Sequence, residues 1–384
     1  MSTTGWKRIP KEQRKEYKIR LKHEAKNSRI SEKEEIVILN PKIAEDAYCD
    51  SFNTENLSTH NHAIDTKHNR CGVGKCGIGI KTFIDTSNWQ KIAEFNKHKP
   101  EIENCKTPIQ QIKLISNLRN ERLSFAKRLY GCNCMLYHTI RRTKDEFILV
   151  ECNMDFINKN VIQNVNKTST SLKWTDGINS YSFVFSKSTL YKFFEKSKIV
   201  LRVIIDLNKK SEYISKDVYE KIKHLESIVS KNKYQHIILP LFSKKNSNKV
   251  VYEKSGLNQW NAKGRTRDKN EVYIPIPRSF HKKHPGFFPN RDEEFILVLP
   301  NDIVLSAKVC QQNNKALMSN PNKALGEWIL RDILQLKEGE LLTYEKLHDL
   351  GVDSVIIHKI DHHKYTIDFQ DEGTYETFET LSKN

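Results

Sequence analysis

Five short apolar runs, EVYIPIP, EFILVLP, VLSAKVCQ, VIIHKID and KYTIDF, recur between Glu271 and Phe369. Turn residues separate them, and one helical segment, LGEWILRDIL, interrupts them. Short strands at this spacing point to a small barrel rather than an open parallel sheet. Everything before Ser255 reads differently, with helical and strand patterns interleaved. The chain therefore has two characters, and its 384 residues suffice for two ordinary domains.

Residues 1–35 form a charge-dense basic arm with a helix expected from Lys11 to Asn27, either solvated or contacting phosphate. A mixed α/β domain is expected over residues 36–242. In it Asn40 caps a helix opened by Pro41, whose apolar stripe is Ile43, Ala44, Ala47, Tyr48 and Phe52. The strand CGIGIKTF follows, then a helix in SNWQKIAEFNKHK, a long helix over residues 107–130, and a hairpin of MLYHTIR with EFILVEC. The segments LKWTDGINSYSFVFS and KIVLRVIIDL supply further strands. Residues 243–254 read as a linker, and residues 255–384 as the second domain.

Hydrophobic residues make up 38% of the chain, which is enough for globular cores. No apolar run approaches the roughly 18 residues that span a bilayer. The N-terminus has no apolar core like that of a signal peptide, so the expectation is a cytoplasmic protein without a membrane partner. Net charge is +17, from 64 basic against 47 acidic residues. Such a balance favours a polyanionic partner, because Lys and Arg release condensed counterions when they neutralise phosphates. The eight cysteines are irregularly spaced and include no CxxC pair, so reduced thiols are expected rather than zinc ligands.

The run SGLNQWNAKGRTRDKNEVYIPIPRSFHKKHPGFFP, with the later EFILVLP and LGEWI, resembles the C-terminal DNA-binding domain of NgoFVII-type restriction endonucleases. That domain is related to the one in BfiI and to the pseudobarrel of plant transcription factors. The resemblance covers roughly residues 250–361. It implies two arms that clasp the major groove of double-stranded DNA like a wrench. The first, Gln259 to Asn270, offers Trp260, Arg265, Arg267 and Asn270; the second, Gln311 to Asn322, offers Lys315, Ser319 and Asn320. Arginine can pair bidentately with guanine and asparagine with adenine. Lys263, Lys269 and Lys323 suit phosphate contacts, which position the protein without specifying sequence.

Such enzymes usually carry a phospholipase-D-like nuclease, but after His281 and His362 the required aspartate positions hold Phe288 and Phe369. Residues 36–105 resemble instead the PD-(D/E)XK nucleases: an acid on an early helix, an aspartate opening a hairpin, and a strand bearing lysine. Glu45, Asp65 and Lys81 supply these in order, with Asp46 and Asp50 as rivals to Glu45. The resemblance implies Mg2+ held by carboxylates, with the lysine assisting attack by water. The departure is Gly79, which stands where an acid would share the strand face of Lys81. In a subgroup of restriction enzymes this acid moves to the following helix, and Glu94 occupies the matching place. The expected metal ligands are therefore Asp65 and Glu94.

The fold expected is thus an α/β (α+β) PD-(D/E)XK-like nuclease domain followed by a mostly-β DNA-binding pseudobarrel. The expected function is that of a type II restriction endonuclease, with a cognate DNA methyltransferase protecting the host. Cutting two strands with one site usually needs two copies, so a homodimer fits this chemistry. The rival readings are a non-catalytic sequence-specific DNA-binding protein or regulator, which Gly79 favours, and a zinc-stabilised interaction module, which rests only on scattered cysteines.

Overall fold

The computed structural model describes residues 5–30, 36–58, 62–70, 72–205, 235–245, 248–259 and 268–381. The chain divides into two compact units, Met1–Lys209 and Lys210–Asn384. Among the described residues no helix is long and apolar enough to cross a membrane.

The first unit opens with helices α1 (Lys11–Ile30) and α2 (Pro41–Phe52). The Asn40 side chain accepts the Lys42 N–H, and Pro41 takes a first-turn position where no N–H is needed. Ala44, Ala47, Tyr48 and Phe52 are buried as expected, but Ile43 is 40% exposed, just outside the stripe. α1 is not a solvated arm. Tyr17, Leu21 and Ala25, four residues apart, lie along one face and are fully buried together with Trp6. That stripe is narrow, and the charges that dominate the sequence here occupy the remaining faces.

Two sheets complete the unit. The first contains β1 (Thr66–Arg70) and β2 (Gly74–Ile84), an antiparallel hairpin. The next strand, β3 (Trp89–Glu94), leaves this sheet. After α3 (Lys99–Asn104) and α4 (Pro108–Leu129) the chain returns as β4 (Cys134–Arg142), parallel to β2, and then β5 (Glu146–Asn153). The second sheet gathers β3 with β6 (Gln163–Lys167), β7 (Ser171–Thr175), β8 (Ser180–Val184) and β9 (Thr189–Phe193), in the order β3-β9-β8-β7-β6. Finally β10 (Ile199–Ile204) closes the first sheet, giving β1-β2-β4-β5-β10. One core lies between the first sheet and α1/α2, and another lies between the second sheet and the start of α4.

The helix expected in SNWQKIAEFNKHK is not there. Its first half is β3, paired antiparallel with β9 through Trp89–Phe193 and Glu94–Thr189. The register shifts between Lys91 and Ala93, so the consecutive residues Ile92 and Ala93 both pack on the core. This bulge produces apolar neighbours that imitate helical spacing in sequence. Cys76 and Cys134, expected as thiols, form a disulfide, because the β2/β4 register sets them directly opposite with Cα atoms 4.7 Å apart.

A fully buried ion pair ties the first sheet to its helices. Arg70 grips both oxygens of Glu151 at 2.7 and 2.8 Å, and each side chain is 0% exposed. His138 Nδ1–H donates to the same carboxylate at 3.0 Å, and the Tyr17 hydroxyl donates to His138 Nε2. Arg70 also donates to the Tyr48 hydroxyl, which donates in turn to His68 Nδ1. Burial opposes ionisation of Glu151, but hydrogen bonds from His138 and Arg70 outweigh it and pull its pKa down to about 2. Tyr17 is on α1 and Tyr48 on α2, so the network fixes the helices against the strands. Removing one member of a buried pair strands its partner's charge. Glu151→Ala should therefore cost about 3–5 kcal/mol, read as a lower midpoint in urea unfolding. A loss below about 1 kcal/mol would show the network to be dispensable.

In the second unit β11 (His236–Pro240) precedes a small hairpin of β12 (Ser243–Lys245) and β13 (Asn248–Val250). Next come β14 (Ile274–Pro275), α5 (Arg278–Lys283), β15 (Glu294–Val298), β16 (Val304–Cys310) and β17 (Ala316–Asn320). LGEWILRDIL is helical, with π-helical turns over Glu327–Ile333, and β18 (Val352–Lys359) and β19 (Lys364–Asp371) follow it. Seven strands join in the order β11-β18-β19-β15-β16-β17-β14, and the edge strands β11 and β14 approach each other. The result is the nearly closed barrel that the short strands implied. Its boundary differs from the expected one. β11 pairs with β18, so residues 236–240 belong to the barrel and not to the first domain, and the expected linker contains the β12/β13 hairpin.

Candidate active site and nucleic-acid interface

Asp65 stands immediately before β1, where its N–H donates to the Ile78 carbonyl across the hairpin. Its side chain turns back over β2 and accepts the Ile80 N–H at 2.6 Å. Lys81 Nζ lies 4.0 Å from the same carboxylate oxygen. Burial pushes the Asp65 pKa up, against the opposing pull of Lys81 and of the Ile80 amide.

Of the three acids on α2, Glu45 is the one in the field of this pair. Its pKa is raised first by burial and also by the nearby Asp65 charge, while Ser58, Lys42 and Lys81 oppose the rise. Asp46 instead accepts from Asn56 at 2.6 Å, and Asp50 pairs with Arg20 at 3.1 Å. Lys42, one turn before Asp46, donates to Ser58 at 3.0 Å and brings a second cation to the edge of the site. Asp65 and Lys81 thus stand side by side, and Glu45 of the early helix lies within their electrostatic reach.

Glu94 sits elsewhere. It ends β3 in the second sheet, is exposed, and its carboxylate pairs with Lys91 at 2.7 Å. The helix that would have carried it toward the lysine strand does not form, so the geometry argued for its migration is absent. At Gly79 a Cβ would lie 2.7 Å from the Met154 ε-methyl and 3.3 Å from the Tyr137 ring. The methionine tip fills the space where an acid side chain would begin.

Two hard-oxygen donors, both rendered less comfortable by burial, suit a small divalent cation. Among the described residues no group of three or more His, Cys, Asp or Glu gathers as a closed protein cage. Magnesium needs none, since it keeps several waters and binds through one or two carboxylates. The donor set at Asp65 and Glu45 fits it.

In the barrel the root of the first arm and the Gln311–Lys315 turn of the second stand at opposite ends of β17. β14 pairs Ile274 with Leu317 and Pro275 with Ala316, which carries the chain before it, Asn270 included, toward Asn320. The turn Gln311–Lys315 lies at the other end. A five-residue strand separates the ends by roughly 17 Å. Gly256 and Gly326 are glycines for packing reasons: a Cβ would strike the Tyr273 ring at the first and the Asn270 carbonyl at the second. Arg331, which sequence reasoning missed, clamps the first arm's root by donating to Asn270 Oδ1 at 2.8 Å and to the Lys269 carbonyl at 3.0 Å.

Trp260, Lys263, Arg265 and Arg267 lie outside the described residues. Two expected base contacts change. Asn270 Oδ1 is committed to Arg331, so the residue anchors the arm. Ser319 is fully buried, donating to the Pro321 carbonyl and accepting the Leu325 N–H, both at 2.8 Å. Its hydroxyl is spent inside the fold. Asn320 and Lys315 are exposed. Asn320 donates to Glu294 at 2.6 Å, and Ser306 donates to the other Glu294 oxygen at 2.7 Å. These hydrogen bonds hold the fully exposed Glu294 below the usual carboxylate range. Lys269 and Lys323 form surface pairs with Glu338 and Glu327.

Residues 232–361 match the NgoFVII C-terminal B3-like DNA-binding domain. That domain family is one found in restriction endonucleases. The barrel order, the buried motif glycines and the two arm roots agree with that match, and its start at residue 232 explains why β11 belongs to the barrel. A search of curated proteins found no match to the chain. The second unit therefore contains a B3-like DNA-binding domain.

Proposed function

We propose that the protein is a type II restriction endonuclease that cleaves double-stranded DNA with magnesium. The observation that carries this reading is the Asp65–Lys81 pair, with Glu45 within its electrostatic reach, in a chain that also contains the B3-like DNA-binding domain. Asp65 and Glu45 would hold the ion. Bound magnesium would supply positive charge against the charge that builds on the phosphoryl oxygens. Lys81, beside Asp65, donates hydrogen bonds to the attacked phosphate and orients the incoming water. Water's oxygen forms the new bond to phosphorus as the bridging P–O ester bond breaks; the water gives up its proton to solvent, and the departing sugar oxygen takes one up to leave as a hydroxyl. The B3-like domain chooses the sequence, with Lys315 at one end of β17 and Asn320 at the other. Glu294 joins Asn320: an exposed, fixed carboxylate repels phosphate but can accept from cytosine N4 in the major groove.

A cognate methyltransferase and a homodimer remain part of this proposal, for the reasons given from the sequence. A non-catalytic DNA-binding protein is the second reading, supported by the missing acid at Gly79 and by Met154 in its place.

The division of labour has a direct test. A fragment beginning at Lys210 keeps β11 and should bind a specific duplex without cutting it, whereas one beginning at Lys244 loses that strand and should not fold. Cleavage by the Lys210 fragment would put the catalytic centre in the wrong unit.

A further inference from the structure

We propose that a cleft beside the second arm of the B3-like domain receives a backbone phosphate of the bound DNA. The inference rests on the DNA-binding reading of this domain and adds a site to it. The cleft, of about 460 Å³, lies between α5, the FFP turn and the Gln311–Lys315 turn. Lys282, Arg291, His281 and His284 line it, together with asparagines, and no Asp or Glu does. Lys282 and Arg291 are exposed, and Arg291 makes a surface pair with its neighbour Asp292 at 3.2 Å.

The wall nearest the arm is fixed. His281 Nε2–H donates to the Asn314 carbonyl at 2.8 Å, so α5 holds the turn that carries Lys315. Asn313 and Asn314 have φ of 60° and 52°, a left-handed conformation that asparagine tolerates better than most residues.

A nucleobase is the wrong occupant. Stacking needs an open aromatic face, and the rings here are engaged with one another. Phe288 stacks on Phe295 at 5.7 Å, His284 stacks on Phe280 at 4.9 Å, and Phe287 is buried. What the cleft offers is positive charge and polar groups, the chemistry of a phosphodiester contact. A phosphate held here would fix the register of the adjacent arm on the duplex without reading sequence.

The test uses the full-length protein and fluorescence anisotropy over about 50–200 mM salt. One duplex is the preferred sequence from selection, and the other is unrelated. Lys282→Ala and Arg291→Ala should each weaken binding, and the double variant should flatten the slope of log affinity against log salt by about 1, the share of the one phosphate the cleft would hold. The affinity loss should be equal on both duplexes, with thermal unfolding unchanged because both side chains are exposed. Lys283→Ala, on the same helix but outside the cleft, should keep the parent slope. The proposal is overturned by an unchanged slope in the double variant, by an equal effect of Lys283→Ala, or by a loss confined to one duplex. If the parent protein binds neither duplex, the DNA-binding reading fails, and the cleft proposal fails with it.

Discussion

Asp65→Asn should abolish DNA cleavage while leaving sequence-specific binding intact. In the proposed mechanism the aspartate is one of two carboxylates that would hold magnesium, and its replacement by an amide removes the charge without changing shape. Loss of one preorganised charge-stabilising group costs about 10²–10³-fold in rate, so cleavage should fall by at least about that factor. Lys81→Ala should fall by a similar factor, because its ammonium is 4.0 Å from the Asp65 carboxylate and would act on the same phosphate in the proposed mechanism. Specific binding, measured by gel retardation, should match the parent in both, since neither residue belongs to the B3-like domain. Near-parental cutting by either variant would remove the catalytic assignment from this hairpin.

Glu45→Gln should be as damaging as Asp65→Asn, and Glu94→Ala should cut at the parental rate. The contrast follows from position. Glu45 is half-buried within the field of Asp65 and Lys81, whereas Glu94 is an exposed residue paired with Lys91 at the end of a strand of another sheet. Single-turnover cleavage at saturating magnesium separates the two. An inactive Glu94→Ala beside an active Glu45→Gln would reverse the assignment, and would restore the migrated acid first expected from the sequence.

The comparison of these two acids also shows what the sequence could and could not reveal. Asn40, Pro41 and the stripe of α2 were readable because capping chemistry and helical spacing are local. The hairpin order of Asp65 and Lys81 was readable because it depends on neighbouring residues. β3 was misread because its bulge sets two adjacent apolar residues on one side, a pattern that only its pairing with β9 explains. The place of α1 in the core was hidden by charges on its outer faces. β11 was assigned to the wrong domain because its partner, β18, lies more than a hundred residues later in the chain. The C-terminal motifs were readable as a family pattern, but their roles were not. SGLN and LGEWI proved to be packing devices around Gly256 and Gly326, and Asn270 and Ser319 proved to be anchors. Arg331 and Glu294 carry no local signal, since their roles depend on side chains distant in sequence.

The most direct measurement is incubation of the purified full-length protein with several plasmids, with and without magnesium. Discrete fragments that need magnesium, and that vanish with Asp65→Asn, are the expected result. Retarded but uncut DNA under every condition would contradict the nuclease assignment and leave a sequence-specific DNA-binding protein in its place.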